Sequence, residues 1–161
     1  MNPDMKSDIK SLSPRLALLP LVTILGSWLG AVVAFLIMSA GDGVVLQHRA
    51  LTDCLALDSG FAYYSLSSIF ITEYRGAELG TIALLANIIR EMITLLLTPL
   101  LAKWAGPLAP ISTGGATTMD TTLPIITKTI GQKYVALSIY HGFVTDFTVP
   151  FLVTMWCMMS A

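Results

Sequence analysis

The sequence predicts an all-α integral membrane protein with about five transmembrane segments, one of which is broken or re-entrant. Three observations lead to this prediction: the composition, a long uncharged run near the N-terminus, and a polar interruption later in the chain. Of the 161 residues, 55% are hydrophobic and only 12% are charged, whereas soluble domains carry about 25% charged residues. At about 20 residues for each crossing, the chain has room for about four to six crossings and none for a soluble catalytic domain.

The first crossing follows a short polar segment. Residues 1–15 contain Lys6, Lys10 and Arg15 and are predicted to be a cytoplasmic N-terminal segment. Residues 16–38 form an apolar run of 23 residues without a charge, which is long enough to cross the bilayer as a helix. We therefore predict one transmembrane domain over residues 16–161.

The next segments are less uniform. Residues 39–58 are predicted to be a polar connector, and residues 59–74 a hydroxyl-rich second crossing that starts irregularly at Gly60. Residues 79–101 and 134–158 are predicted to be the third and the last crossing.

The polar interruption covers residues 109–124, with the sequence APISTGGATTMDTTLP. Its Gly pair, Gly114 and Gly115, its two prolines and its carboxylate, Asp120, do not suit a regular buried helix. At membrane depth such a stretch must lie beside protein or a water-filled cavity, because unpaired backbone groups are costly in hydrocarbon. We predict a broken or re-entrant helix around residues 109–127 that lines a cavity. The alternative is a short surface loop.

Lysine and arginine residues in the connecting loops predict the orientation. If residues 109–127 cross once, the cytoplasmic side receives six of these residues and the outer side receives two, Arg49 and Lys103. This distribution favours a multi-pass protein of the cell's inner (cytoplasmic) membrane with a cytoplasmic N-terminus. If residues 109–127 return to the same side, Lys128 and Lys133 move outside and the bias weakens.

A polar stripe marks the predicted third crossing. Asn87, Glu91 and Thr94 follow one another at helical spacing and share one face, next to Arg90. A charge at the centre of a transmembrane helix costs about 2.5 to 3.5 kcal/mol, so it normally faces the bundle interior and marks a pathway or a pair. Glu91 is the strongest candidate site residue. A structural Arg90–Glu91 pair is disfavoured because consecutive side chains point about 100° apart on a helix.

The last crossing carries His141 and Asp146. His141 is either a hydrogen-bonded interior histidine or part of a proton relay. Asp146 is offset from the polar face of that helix and could lie near the outer interface. Tyr64, in the second crossing, is an interface or core aromatic residue or, alternatively, a substrate contact.

Other classes of partner are not indicated. A net charge of −1 lacks the basic surface that nucleic acid requires. Cys54 and Cys157 lie far apart without metal-ligand spacing, so we predict neither a metal site nor a cofactor.

Four stretches resemble the bacterial lysine exporter family of the LysO type. They are SGFAYYSLSSIFITE, NIIREMITLLLTPLL, GGATTMDTTLPIITKT and HGFVTDFTVPFL, in that order. The resemblance covers roughly residues 57–161 and the C-terminal half of family members. It implies a secondary transporter that exports L-lysine and its toxic analogues, in exchange for protons. It also implies that intramembrane acidic residues are needed for translocation, and two residues of this chain, Glu91 and Asp120, match their motifs.

The chain departs from this family in two respects. Family members are about twice as long and have further N-terminal spans, so the resemblance implies either a second polypeptide that supplies the N-terminal half or a homo-oligomer. Asp58 and Asp146 stand where the family pattern predicts a small or apolar residue, which leaves the substrate open.

The chemistry of lysine is compatible with these residues. A dry site for lysine needs about two anionic partners for its ammonium groups and N–H donors for its carboxylate. Glu91 and Asp120 can supply the first. The backbone of residues 112–118, which includes Gly114, Gly115, Thr117 and Thr118, can supply the second.

Two functions of other classes stay open at this point. An intramembrane hydrolase could use Asp120 with Glu91 or His141 as acid and base, provided that the carboxyl groups share a water. A non-transporting assembly partner is the other alternative, and the buried charges argue against it.

Overall fold

A computed structural model describes residues 14–42 and 48–159. Within these ranges the chain is helical and contains no β-strand, which confirms the predicted all-α class. The predicted N-terminal segment, residues 1–15, lies almost wholly outside the described residues. The helices are α1 (Pro14–Ala17), α2 (Leu19–Asp42), α3 (His48–Asp58), α4 (Tyr64–Arg75), α5 (Ala77–Ala105), α6 (Ala109–Gly114), α7 (Leu123–Ile130) and α8 (Val135–Met158), with 3-10 segments at Gly115–Met119 and Gln132–Tyr134.

Three helices of the described ranges are long and apolar enough to cross a membrane. Their spans are Leu19–Ser39, Ala77–Ala105 and Gln132–Met158. They correspond to the first, third and last crossings predicted from the sequence. The total of about five crossings remains a prediction.

The first departure from prediction is at α3 and α4. Within the predicted polar connector, residues 39–58, the structure describes an 11-residue helix, α3. Its Asp53 forms an ion pair with Arg75 at the end of α4, with 3.1 Å between Oδ1 and Nε, which links the two helices. α4 has 12 residues and is about 18 Å long, shorter than the roughly 30 Å hydrocarbon core.

Residues 59–63 separate α3 from α4, and we call them the first break. Phe61 and Ala62 have φ angles of 43° and 68°, a left-handed conformation that side chains with a Cβ rarely adopt. Asn87 of α5 accepts a hydrogen bond from the Ala62 N–H at 2.8 Å. The irregular start that the sequence predicts at Gly60 is thus a defined turn held by a neighbouring helix.

Residues 115–122 separate α6 from α7, and we call them the second break. The structure confirms the interruption predicted around residues 109–127. Pro110 and Pro124 each lie in the first turn of a short helix, where the missing N–H of proline needs no partner. The placement of this segment in the membrane, as a crossing or a re-entrant helix, remains a prediction.

The two breaks touch each other. The Ala116 N–H donates to the Phe61 carbonyl at 2.9 Å. A Cβ on Gly115, whose φ is +58°, would lie 2.3 Å from the same carbonyl oxygen, so only glycine permits this approach. Phe61 is fully buried, in a cluster with Ile71 and Val149. The contact between the breaks therefore organises the centre of the helix bundle.

Candidate functional site

Three carboxylates line one cavity beside the contact between the breaks. The cavity has a volume of about 210 Å³, and Glu91, Asp120 and Asp146 form its walls with Tyr64 and Thr117. We call it the acidic cavity. Glu91 comes from the middle of α5, Asp120 from the second break and Asp146 from α8, so three separate elements bring the charges together.

Thr121 connects two of these carboxylates. Its hydroxyl donates to Glu91 Oε1 at 2.5 Å, and its backbone N–H donates to Asp120 Oδ1 at 2.6 Å. Asp120 is exposed and Glu91 and Asp146 are partly exposed, so all three carboxylates are accessible from the cavity. The sequence reasoning did not single out Thr121, although its position directly after Asp120 could have drawn attention to it.

A second cavity holds Arg90 and Asp58. Its volume is about 580 Å³, and its walls come from α2, the end of α3, α5 and α6. We call it the Arg90 cavity. Arg90 and Glu91, which are consecutive in α5, thus line different cavities, as their helical spacing predicts.

Arg90 also connects the two interrupted helices. Its Nε donates to the Thr113 carbonyl of α6 at 3.1 Å. Its guanidinium carbon lies 5.2 Å from the centre of the Phe61 ring in the first break, within the range of cation–π attraction. The side chain therefore has structural contacts in addition to its place in the cavity wall.

The remaining polar residues of the predicted stripe support the backbone. Asn87 bonds to Ala62 of the first break and to Ser67 of α4. Thr94 is buried and donates to the Arg90 carbonyl in its own helix. Neither residue lines the acidic cavity.

The predicted residues of the second break have different environments. Thr117 lines the acidic cavity. Gly114 and Gly115 are buried at close contacts, where a Cβ would meet Thr118 and Phe61 respectively. Thr118 is fully buried and donates to the Gly115 and Ser138 carbonyls.

His141 is fully buried next to this break. Its Nε2 lies 3.0 Å from the Thr23 hydroxyl of α2, and its Nδ1 lies 3.3 Å from the Thr118 hydroxyl. Both ring nitrogens therefore have hydrogen-bond partners within the bundle, and His141 does not line the acidic cavity. No cluster of three or more histidine, cysteine or acidic side chains that could hold a metal occurs in the described ranges.

Comparison with known proteins places the chain in a family. The sequence profile described as lysine exporter LysO matches residues 1–157. The chain belongs to the lysine exporter family. The match begins at residue 1 and thus extends the resemblance seen from residue 57 onward. No solved structure matches the chain significantly.

Two named relatives support the assignment. The chain is 39% identical over 103 residues to the lysine exporter LysO of Escherichia coli, which covers 64% of this chain and 34% of that protein. It is 37% identical over 130 residues to a putative lysine exporter of Haemophilus influenzae, which covers 79% of this chain and 65% of that protein. The chain therefore spans less than two thirds of either relative's length.

Proposed function

We propose that the chain is a half-transporter: a subunit of a secondary exporter that moves L-lysine or a similar basic amino acid out of the cytoplasm in exchange for protons. The observation that carries the proposal is that Glu91 and Asp120 line one cavity at the contact between two helix breaks. Membership of the lysine exporter family supports a transporter over an enzyme.

The acidic cavity has the charge that a diamino substrate requires. Lysine carries two ammonium groups, and each can pair with a carboxylate. Thr121 holds Glu91 and Asp120 beside each other, so one substrate molecule can contact both. A carboxylate that binds a proton no longer attracts an ammonium group, so protons entering from one side displace lysine and couple the two fluxes.

N–H and hydroxyl donors of the second break are the proposed partners of the lysine carboxylate. Thr117 lines the cavity, which supports its role. The Ala116 N–H already donates to Phe61, so the remaining donors of this segment carry that role.

The proposal also covers the membrane location of the chain and the subunits that complete the transporter. We place the chain in the inner membrane with a cytoplasmic N-terminus. A second polypeptide that supplies the remaining spans, or further copies of this chain, completes the transporter. The coverage of the two relatives supports an additional part, and copurification of a membrane-embedded partner with the tagged chain tests it.

An intramembrane hydrolase that uses His141 has less support. Both ring nitrogens of His141 contact threonine hydroxyls, and the side chain does not line the acidic cavity. Family membership argues in the same direction.

Efflux of labelled lysine tests the proposal. Membrane vesicles that contain the chain with its copurifying partner are loaded with lysine, and efflux is driven by a proton gradient. Glu91→Gln and Asp120→Asn should each lower the rate at least about tenfold, because each removes a charge that pairs with the substrate. Glu78→Gln, at the exposed start of α5, is the matched control. Unchanged efflux in both cavity variants would contradict the proposed site.

A further inference from the structure

The Arg90 cavity has binding capacity that the proposed lysine site does not use. It is larger than the acidic cavity and contains none of its three carboxylates. Its charged groups are one cation and one anion, Arg90 and Asp58, with the hydroxyls of Ser27 and Thr23 in the same wall. A cavity with this composition is suited to a ligand that carries both signs of charge.

Neither charge is fully satisfied by the protein. Arg90 Nη1 donates to the Ser27 hydroxyl oxygen at 3.4 Å and lies 3.7 Å from Asp58 Oδ1, and both distances are beyond the 2.7–3.2 Å range of a good N–H···O hydrogen bond. Arg90 Nη2 donates no hydrogen bond within the described ranges. A guanidinium group has five N–H donors, so this one retains donors for a ligand carboxylate.

The carboxylate of Asp58 lacks a hydrogen-bond donor at one of its oxygens within the described ranges. Its Oδ1 accepts a hydrogen bond from the Ser27 hydroxyl at 2.8 Å. Its Oδ2 is buried and has no hydrogen-bond partner among the described residues. A buried carboxylate oxygen without a donor is unusual and requires an explanation, and a ligand ammonium group would supply the missing donor.

Two glycines of α2 keep the cavity open. Gly26 and Gly30 both line it, and a Cβ at either position would meet nothing within 4 Å. By contrast, close contacts explain Gly60, Gly80 and Gly115. Within the described ranges no packing contact requires Gly26 or Gly30, although glycine weakens a helix by about 1 kcal/mol relative to alanine. Both glycines therefore leave space in the cavity that a side chain would occupy.

We propose that the Arg90 cavity binds the zwitterionic α-amino acid group of the substrate, with the ligand carboxylate on Arg90 and the ligand ammonium on Asp58. The transported molecule then has two binding sites, one in each cavity, and the buried contact between the two breaks lies beside them. The inference rests on the proposed function only for the identity of the substrate. Only the acidic cavity has the two carboxylates that a second ammonium group requires, whereas the single cation and single anion of the Arg90 cavity match the group that all α-amino acids share.

Two probes distinguish the two binding sites. L-Alanine has the zwitterionic group without a side-chain amine, and 1,5-diaminopentane has two amines without a carboxylate. Their binding to the purified full chain, with any polypeptide that copurifies, is measured by titration calorimetry. Saturable L-alanine binding should weaken at least about tenfold in Arg90→Met and Asp58→Asn and change less than about twofold in Glu91→Gln. Diamine binding should show the opposite pattern.

A steric variant provides a second test, because replacing Arg90 also removes its hydrogen bond to the Thr113 carbonyl. Gly30→Leu places a bulky side chain in the cavity and leaves every charge in place, so it should weaken L-alanine binding at least about tenfold and retain diamine binding. Val33→Leu on the exposed side of α2 is the matched control and should retain both.

The outcomes distinguish the two proposals. Absence of saturable L-alanine binding to the unmodified chain up to about 10 mM, or equal binding in Gly30→Leu and Val33→Leu, would overturn the Arg90 site. Loss of the diamine pattern alone would instead overturn the acidic cavity as the lysine site.

Discussion

The two breaks satisfy their backbone hydrogen-bonding groups in different ways. Both end a short helix inside the bundle and must satisfy the backbone groups that the helix no longer pairs. In the first break, Phe61 and Ala62 adopt positive φ angles, and the Ala62 N–H depends on Asn87 from another helix. The conformation of this break is therefore imposed by tertiary contacts.

The second break has hydrogen bonds within its own segment, in addition to those it makes to Phe61 and Ser138. Gly115 takes the positive φ without a Cβ to oppose it. The hydroxyls of Thr117 and Thr118 donate to the Gly114 and Gly115 carbonyls. The comparison indicates that the second break carries part of its support in its own sequence, whereas the Ala62 N–H of the first break requires α5 to be in place.

The largest expected effect is at the point where the breaks meet. Gly115→Ala places a Cβ against the Phe61 carbonyl and strains a positive φ, so it should destabilise the protein by about 3 kcal/mol or more. The melting temperature of the detergent-purified protein measures this. Gly26→Ala, where a Cβ meets nothing, is the control and should melt at or slightly above the unmodified protein. Equal melting temperatures of the two variants would contradict the close contact.

A smaller loss is expected at the support of the first break. Asn87→Leu leaves the buried Ala62 N–H without an acceptor and should cost about 1–3 kcal/mol in the free energy of unfolding. Thr81→Val removes an exposed hydroxyl that bonds only within its own helix, so its unfolding midpoint should stay close to that of the unmodified protein. If both variants unfold at the same midpoint, the first break does not depend on Asn87.

The smallest expected effect is an increase in stability. Ala62→Gly relieves the left-handed conformation of the first break and should stabilise the protein by about 0.5–1 kcal/mol. The same change at Ala86, inside α5, should destabilise it by about 1 kcal/mol. Thermal unfolding of the two variants gives the sign directly, and a loss of stability in Ala62→Gly would show that the residue is not strained.

The same contrast explains what could be predicted from sequence. Gly114, Gly115 and the flanking prolines indicate the second break without knowledge of the fold. Phe61 and Ala62 carry no such signal, because both occur readily in helices and their turn is held by a residue 25 positions away. The ion pair of Asp53 with Arg75, which links α3 to α4, could not be identified from the sequence because the two residues are 22 positions apart.

The site shows a similar limit. Helical spacing separates Arg90 from Glu91 correctly, since it depends only on local geometry. The entry of Asp146 into the acidic cavity depends on how α8 packs against the second break. The roles of the individual site residues remain predictions.

The contact between α5 and the second break, which forms the acidic cavity, can be measured by cross-linking in membranes. Cysteines replace Glu91 and Thr121, whose side chains touch, in a chain in which Cys54 and Cys157 are changed to serine. A short bifunctional thiol reagent should link this pair efficiently. It should not link a pair at Arg90 and Thr121, because Arg90 lines the other cavity. Equal linking of both pairs, or no linking at 91 and 121 while both thiols react with a monofunctional reagent, would contradict the account.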